Sequence, residues 1–274
     1  MEEACLTLSR LGGKAKALAG GTDLLRQMKN EAIAPAALVS LKEIKGLNGI
    51  AYVQGRGVVI GAKSTHNDLA NSIVLQDRFP SVSEAAKSLG NNQIRNRGTI
   101  GGNLVSAVPS ADLPPILIAL DASITLVGLH EIRTMRLEKF FVGSRCSVIA
   151  SDEILTEIVI PDQATTGSAY LKFGLRRSGA LAVVSVAASV IAKGKHIEGA
   201  SIVLGAVATT PMRACEAERL LIGNSVTEAL LEEVGKTAAK ECRPISDIRG
   251  SEDYRRDMVS VFVKRALRKA LKLN

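Results

Sequence analysis

The spacing of hydrophobic positions changes several times along the chain, and each change predicts an element. Residues 2–11 place Ala4, Leu8 and Leu11 on one side, which is helical spacing. Residues 16–19 read as a short strand and 23–30 as a helix; 37–41, bounded by Pro35, read as a second strand. That order predicts a small parallel α/β unit. From Ala51 the texture becomes hairpin-like, with 51–54 and 58–63 flanking Gly55-Arg56-Gly57. Thr65-His66-Asn67-Asp68 opens a helix, and 79–89 form another. Residues 116–120 are a short helix and 123–127 a β-branched strand. Residues 137–141 lead into a polar loop, and 155–160 form a strand stopped by Pro161. Asp162 to Gly167 is poor in apolar residues and marks a domain boundary. Beyond it, 169–175, 183–192 and 197–207 are strands, the last two joined by Lys193-Gly194-Lys195. Helices follow at 211–222, 226–240 and 252–271. No repeat or low-complexity tract interrupts this order.

Two glycine-rich stretches stand out against the pattern. In the first, Ala17, Leu18 and Ala19 close a strand, Gly20, Gly21 and Thr22 turn, and a helix starts that Thr22 or Asp23 can cap. In the second, a cationic lead-in to Arg97 precedes Gly98-Thr99-Ile100-Gly101-Gly102-Asn103, then Ser110-Ala111-Asp112 and a double proline. Glycines permit positive φ and close approach of a ligand, and successive N–H groups in such turns make anion-binding nests. A helix N-terminus adds to that preference. Alone, such a stretch reads more readily as a surface turn; together the two suit the two phosphates of a dinucleotide. No G-x-G-x-x-G is present, and residues 55–65 lack the ending of a P-loop and read as a hairpin.

Composition narrows the classes. Of 274 residues, 46% are hydrophobic and 23% charged, which allows two globular domains. Aromatics make up only 3% and Trp is absent, so Ala, Val, Ile and Leu must build the core. No apolar run reaches the ~18 residues of a membrane helix, and acidic residues stand where a signal peptide is basic. A cytoplasmic protein is expected. Cys5, Cys146, Cys215 and Cys242 are scattered, as are His66, His130 and His196, so no metal site is expected. The net charge of +8 suits nucleic acid, a membrane surface or an acidic protein. Without aromatic–basic interleaving, nucleic acid is the weaker choice and an acidic partner subunit the better one.

The pair AGGTDLL (19–25) and IRNRGTIGGN (94–103), in this order about 80 residues apart and followed by SADLPP (110–115), resembles the FAD-binding subunit of molybdenum hydroxylases. That family includes the medium subunit of aerobic carbon monoxide dehydrogenase and the flavin domain of xanthine dehydrogenase. The resemblance continues through residues 153–161 and 170–187 and covers nearly the whole chain. It implies an α+β fold: a PCMH-type FAD-binding domain over residues 1–165, then a small α+β C-terminal domain over 166–274. The first domain would divide into a small α/β subdomain to about residue 50 and a mainly antiparallel-sheet subdomain. The family usually has a further strand before the first helix, and this chain starts at or inside that helix.

The resemblance also implies the cofactor, FAD, and its contacts: Ala17, Leu18, Ala19, Gly20, Gly21, Thr22, Asp23, Leu89, Thr99, Ile100, Gly101, Gly102, Asn103, Asp112, Leu155 and Lys172. Asp112 matches a residue near the flavin and ribityl chain, yet it equally suits a helix cap. Lys172 matches a lysine that approaches the ring, where a cation stabilises reduced flavin, yet a strand lysine is ordinarily a solvated edge residue. Leu89 and Leu155 match ring contacts, though plain core is the stronger reading of Leu155. Arg95 and Arg97 suit phosphate or an acidic partner. Lys264, Arg265, Arg268, Lys269 and Lys272 share one side of the last helix, either a solvated face or a docking face.

No nucleophile–base or carboxylate pair emerges, as befits a flavoprotein whose chemistry belongs to its cofactor. Implied partners are a molybdopterin-containing large subunit, a [2Fe–2S] small subunit and a terminal electron acceptor. The competing readings are a scaffold subunit without FAD and a basic nucleic-acid-binding protein.

Overall fold

The computed structural model describes residues 1–163, 165–176 and 178–273. It begins with α1 (Glu2–Leu11), β1 (Ala15–Leu18), α2 (Leu24–Lys29) and β2 (Ala37–Ser40). β1 and β2 pair in parallel, Ala15 beside Ala37 through Leu18 beside Ser40, and α2 is the crossover a parallel pair requires. Ala4, Cys5 and Leu8 of α1 are buried with Ala15, Leu41, Leu47 and Ile154 in a small core of their own.

The hairpin β3 (Ile50–Val53) and β4 (Gly57–Gly61) forms around its glycine turn. Six short helices follow: α3 (His66–Asn71), α4 (Ile73–Arg78), α5 (Pro80–Ser88), α6 (Asn92–Arg95), α7 (Ile100–Val105) and α8 (Leu113–Ala119). Thr65 and Asp68 make a reciprocal capping box that starts α3. Next come β5 (Ser123–Val127), β6 (Ile132–Arg136), β7 (Phe141–Gly143), β8 (Cys146–Ser147) and β9 (Ile154–Ile160). β3, β4, β9, β5 and β6 form an antiparallel sheet in that order. Val58, Ile60, Ile124 and Ile158 on its strands join the residues of α8, buried throughout, in the main core.

α6 and α7 occupy the stretch read from sequence as a polar lead-in and a glycine turn. Asn91 and Thr99 cap them, each accepting the backbone N–H three residues on, and in α7 that cap offsets the poor helix propensity of Gly101 and Gly102. β6 also goes beyond the expectation; it is an edge strand with every second residue exposed.

β10 (Gly167–Phe173), β11 (Val184–Lys193), β12 (His196–Gly205) and β13 (Met212–Arg213) form a second antiparallel sheet. Helices α9 (Cys215–Leu221), α10 (Glu228–Glu241) and α11 (Glu252–Ala270) complete the chain. The helix expected from 211 starts only at Cys215, because Met212 and Arg213 pair with β12. The expected boundary stretch, Asp162 to Gly167, includes Ala164, and the matched stretch 170–187 includes Arg177; both lie outside the described residues.

This second sheet is covered on both faces, which explains why its strands read as nearly continuous apolar runs. In register, Ala169, Ala188 and Ile202 share one face and are buried in the core with α9, α10 and α11. Tyr170, Ala187 and Val203 share the other and belong to the main core, under α5 and α8. Next in register on that second face stand Lys172, Ser185 and Gly205. A Cβ at Gly205 would lie 2.8 Å from the Pro115 ring, so glycine lets α8 lie close on the sheet.

Candidate functional site

The two glycine stretches meet. Gly21 adopts a φ of +76°, the left-handed conformation that favours glycine. Beside it, a Cβ at Gly20 would lie 1.8 Å from the Arg97 carbonyl oxygen, so only glycine lets the first turn rest on the backbone leading into the second. The amides of Gly20, Gly21, Thr22 and Asp23 have no acceptor among the described residues. Successive free N–H groups around a left-handed residue form an anion-binding concavity.

The second stretch differs from the open nest expected of it. Ile100 N–H donates to Ser64 O at 3.0 Å and Gly101 N–H to Ala62 O at 2.8 Å. The Thr99 hydroxyl accepts the Gly102 N–H at 3.1 Å. The leading amides of α7 are thus consumed by protein, and neither Gly101 nor Gly102 has positive φ. Gly101 is needed for packing, since a Cβ would fall 2.8 Å from Ala62. At Gly102 a Cβ would meet only the Thr99 hydroxyl, at 3.0 Å, which leaves that side open to a ligand. The neighbouring Asn103 Oδ1 is buried with no partner among the described residues, an acceptor that a ligand donor would satisfy.

Asp23 stands at the N-cap position of α2, but its side chain does not cap the helix. Its carboxylate accepts from Gln27 Nε2 at 2.7 Å and from Arg145 Nη1 at 2.9 Å. Burial pushes the Asp23 carboxyl up, and the bonds from Arg145, Ser106 and Gln27 outweigh it, so the pKa ends below the ordinary value. Arg145 occupies the turn between β7 and β8 with a φ of +56°, an uncommon conformation for arginine that the Arg145 N–H bond to Ala107 O, at 2.9 Å, helps fix. Nothing local in the sequence singles out Arg145; the fold carries it across to the first glycine turn. Four open amides, a guanidinium and an orphaned amide oxygen fit the phosphates and polar groups of a dinucleotide.

Of the remaining expected residues, Asp112 and Lys172 meet where the start of α8 faces β10. Lys172 lines a cavity of about 390 Å³ with Ser88, Phe173, Gly174, Arg176 and Gly179. β10 is an edge strand, yet the Lys172 side chain is only 10% exposed, unlike a solvated edge lysine. Lys172 Nζ donates to Asp112 Oδ2 at 2.9 Å and to Ser88 O at 3.2 Å. Asp112 Oδ1 accepts from the Tyr170 hydroxyl at 2.7 Å. Asp112 sits at the N-cap position of α8 but makes no cap bond, so the helix-cap reading of its side chain does not hold. Burial pushes the Asp112 carboxyl up, against the pull of Lys172 and Tyr170. Burial and the facing Asp112 push the Tyr170 phenol well above its ordinary range.

Leu89 directly follows Ser88 of the cavity wall and is buried. Leu155 lies in β9 beside Leu126, inside the main core. Arg95 is engaged with Asn67 Oδ1 and Leu89 O, and so braces α6 against α3 and the end of α5; Arg97 is exposed. On α11, Lys264 and Arg268 meet Glu228 of α10, and Lys269 meets Glu84 of α5. Part of the basic face expected to be solvated or to dock a partner thus pairs within the chain. Among the described residues no cluster of His, Cys, Asp or Glu could hold a metal, and no helix is long and apolar enough to cross a membrane.

Comparison with known proteins agrees with this geometry. Residues 1–163 match the family model described as the FAD binding domain in molybdopterin dehydrogenase. Residues 169–270 match the model described as the CO dehydrogenase flavoprotein C-terminal domain. The chain is 37% identical to the carbon monoxide dehydrogenase medium chain of Hydrogenophaga pseudoflava, over 98% of this chain and 93% of that one. It is 32% identical to the glyceraldehyde dehydrogenase medium chain of Sulfolobus acidocaldarius, over 92% and 89%. The solved structure of the H. pseudoflava carbon monoxide dehydrogenase lacking the Mo-pyranopterin moiety superposes with a TM-score of 0.95 at 36% identity, covering 98% of this chain and 94% of that one.

Proposed function

The chain belongs to the family of FAD-binding subunits of molybdenum-containing dehydrogenases, with FAD as its cofactor, and from that premise we propose that it passes electrons from partner [2Fe–2S] clusters through FAD to a terminal acceptor. The partners are a molybdopterin-containing large subunit and a [2Fe–2S] small subunit, and the complex is cytoplasmic. FAD supplies the electron chemistry. The chain binds and orients it across two domains that divide near residue 165. Residues Ala17 to Asp23 and Thr99 to Asn103 hold the phosphate end. Asp112 and Lys172 hold the flavin end, with Leu89 and Leu155 as apolar contacts.

The observation that carries this reading is the contact of Gly20 with the Arg97 carbonyl, which joins both glycine stretches at one open set of amides. Gly102→Asp tests it. The added carboxylate would stand on the one open side of Gly102, and an anion there repels a pyrophosphate. FAD affinity should fall by at least about tenfold, a loss of ~1.4 kcal/mol, while circular dichroism stays native. Wild-type affinity in a native-like variant would refute the phosphate assignment. Electron flow is checked in the assembled complex: after FAD is stripped, substrate should still reduce the iron–sulfur clusters while turnover with the acceptor is lost.

A further inference from the structure

Tyr170 is the innermost member of the polar chain that runs through Asp112 and Lys172 to the cavity. It lies two residues before Lys172 on β10, so both side chains stand on the same face of the sheet. Phenylalanine would fill the same core space without burying a hydroxyl, which is costly unless that hydroxyl is bonded. Here the bond is made, at 2.7 Å to Asp112 Oδ1, and the other carboxylate oxygen meets Lys172 Nζ at 2.9 Å. The ammonium group has three donors. Asp112 and Ser88 O take two, and the third remains for the cavity that Lys172 lines.

We propose that Tyr170 is a positioning residue of the flavin site: its hydroxyl fixes the Asp112 carboxylate, and Asp112 in turn fixes the Lys172 ammonium at the cavity wall. Among the described residues Asp112 has no other charged partner. α8, Leu113–Ala119, carries no titratable side chain. Glu84 and Lys87 of α5 are exposed, and Glu84 is paired with Lys269. Ser185 of β11 stands opposite Lys172 in register and bears no charge. With the phenol removed, the carboxylate is free to turn, and Lys172 loses the partner that holds it in place. That the cavity holds flavin rests on the proposed function; the hydroxyl–carboxylate–ammonium chain itself does not.

The test measures Lys172 in the full chain by reductive methylation with formaldehyde and borohydride, read by peptide mass spectrometry. Tyr170→Phe and Asp112→Asn should each speed Lys172 labelling by at least about tenfold, because a charge-assisted bond is lost in both. The double variant should label no faster than Asp112→Asn alone, since Tyr170 acts through Asp112. Exposed Lys236 serves as the control and should not change. An unchanged Lys172 rate in Tyr170→Phe, or additive effects in the double variant, would overturn the proposal. Should Tyr170→Phe not fold, fluorinated tyrosine at the three tyrosine positions keeps ring and hydroxyl and makes a stronger donor; Lys172 labelling should then slow, and an unchanged rate overturns the proposal equally. FAD uptake is measured on the same samples. A wild type that takes up no FAD defeats the functional reading, while the Lys172 rates still decide the role of Tyr170.

Discussion

Burial pushes the His66 imidazole down to about 4, with a smaller push from the Arg95 charge, and its Nδ1 has no partner among the described residues. Its ring is held against the second glycine stretch: a Cβ at Gly98 would fall 2.9 Å from His66 Cδ2. An unfolded histidine titrates near 6.5. Between that value and about 4 the unfolded chain therefore binds more protons than the folded one. Stability is fully present above pH ~6.5 and falls as the pH drops through this window, by up to roughly 3 kcal/mol. His66→Leu should remove this component, so urea midpoints at about pH 7 and about pH 4.5 should differ less in the variant. Equal pH dependence in both proteins would show that the buried imidazole is not the cause. Lys172 makes a second case at this scale. Lys172→Met leaves the Asp112 carboxylate buried without its cation, which costs roughly 3–5 kcal/mol unless the carboxyl takes up a proton. The flavin midpoint potential should also fall, because a cation of the cavity wall no longer favours reduced flavin. Adding Asp112→Asn should restore stability but not the potential; recovery of both would show that the ammonium does not act on FAD.

At the scale of elements, much of the architecture was legible because hydrophobic period and turn chemistry agree locally. The β1–α2–β2 crossover, the hairpin at Gly55-Arg56-Gly57 and the β11–β12 hairpin all follow from short-range patterns. The helical character of the second glycine stretch was not legible, because it depends on Thr99 closing a cap and on Ala62 and Ser64 supplying acceptors from another segment. Arg145 and Tyr170 escaped the sequence for the same reason: their partners, Asp23 and Asp112, are far away along the chain. The glycines separate into two kinds, and that separation is testable. Gly20→Ala would drive a Cβ into the Arg97 backbone, so it should lower the melting temperature and abolish FAD binding together. Gly102→Ala meets only a hydroxyl in a helix that tolerates alanine better than glycine, so its stability should stay within about 1 kcal/mol of wild type. Equal behaviour of the two variants in thermal melts would show that the contact between the glycine stretches is not required.

Across the whole molecule, the second sheet joins the two halves. Its strands lie C-terminal to the Asp162 to Gly167 stretch, yet Tyr170, Ala187 and Val203 form one row of the main core beneath α5 and α8. The opposite face, with Ala169, Ala188 and Ile202, is closed by α9, α10 and α11. A sheet buried on both faces couples what it touches, because neither core stays covered when the other opens. The Asp112–Lys172 bond spans the same junction, so the proposed flavin end of the site exists only while the halves are packed. Surface pairs such as Lys269 with Glu84 also cross it, but exposed ion pairs contribute at most about 1 kcal/mol and do not decide the coupling. Val203→Ala removes two methyl groups from this fully buried row and should cost roughly 1–3 kcal/mol. If the halves are coupled, the loss appears as one transition displaced as a unit. Near-ultraviolet and far-ultraviolet dichroism should then give the same urea midpoint in the variant as they do in the wild type. FAD should raise that common midpoint, since the proposed flavin end draws Asp112 from one side of the junction and Lys172 from the other. Two separated transitions in the wild type, only one of them moved by Val203→Ala or by FAD, would show that the row holds the sheet to α8 without making the molecule fold as one.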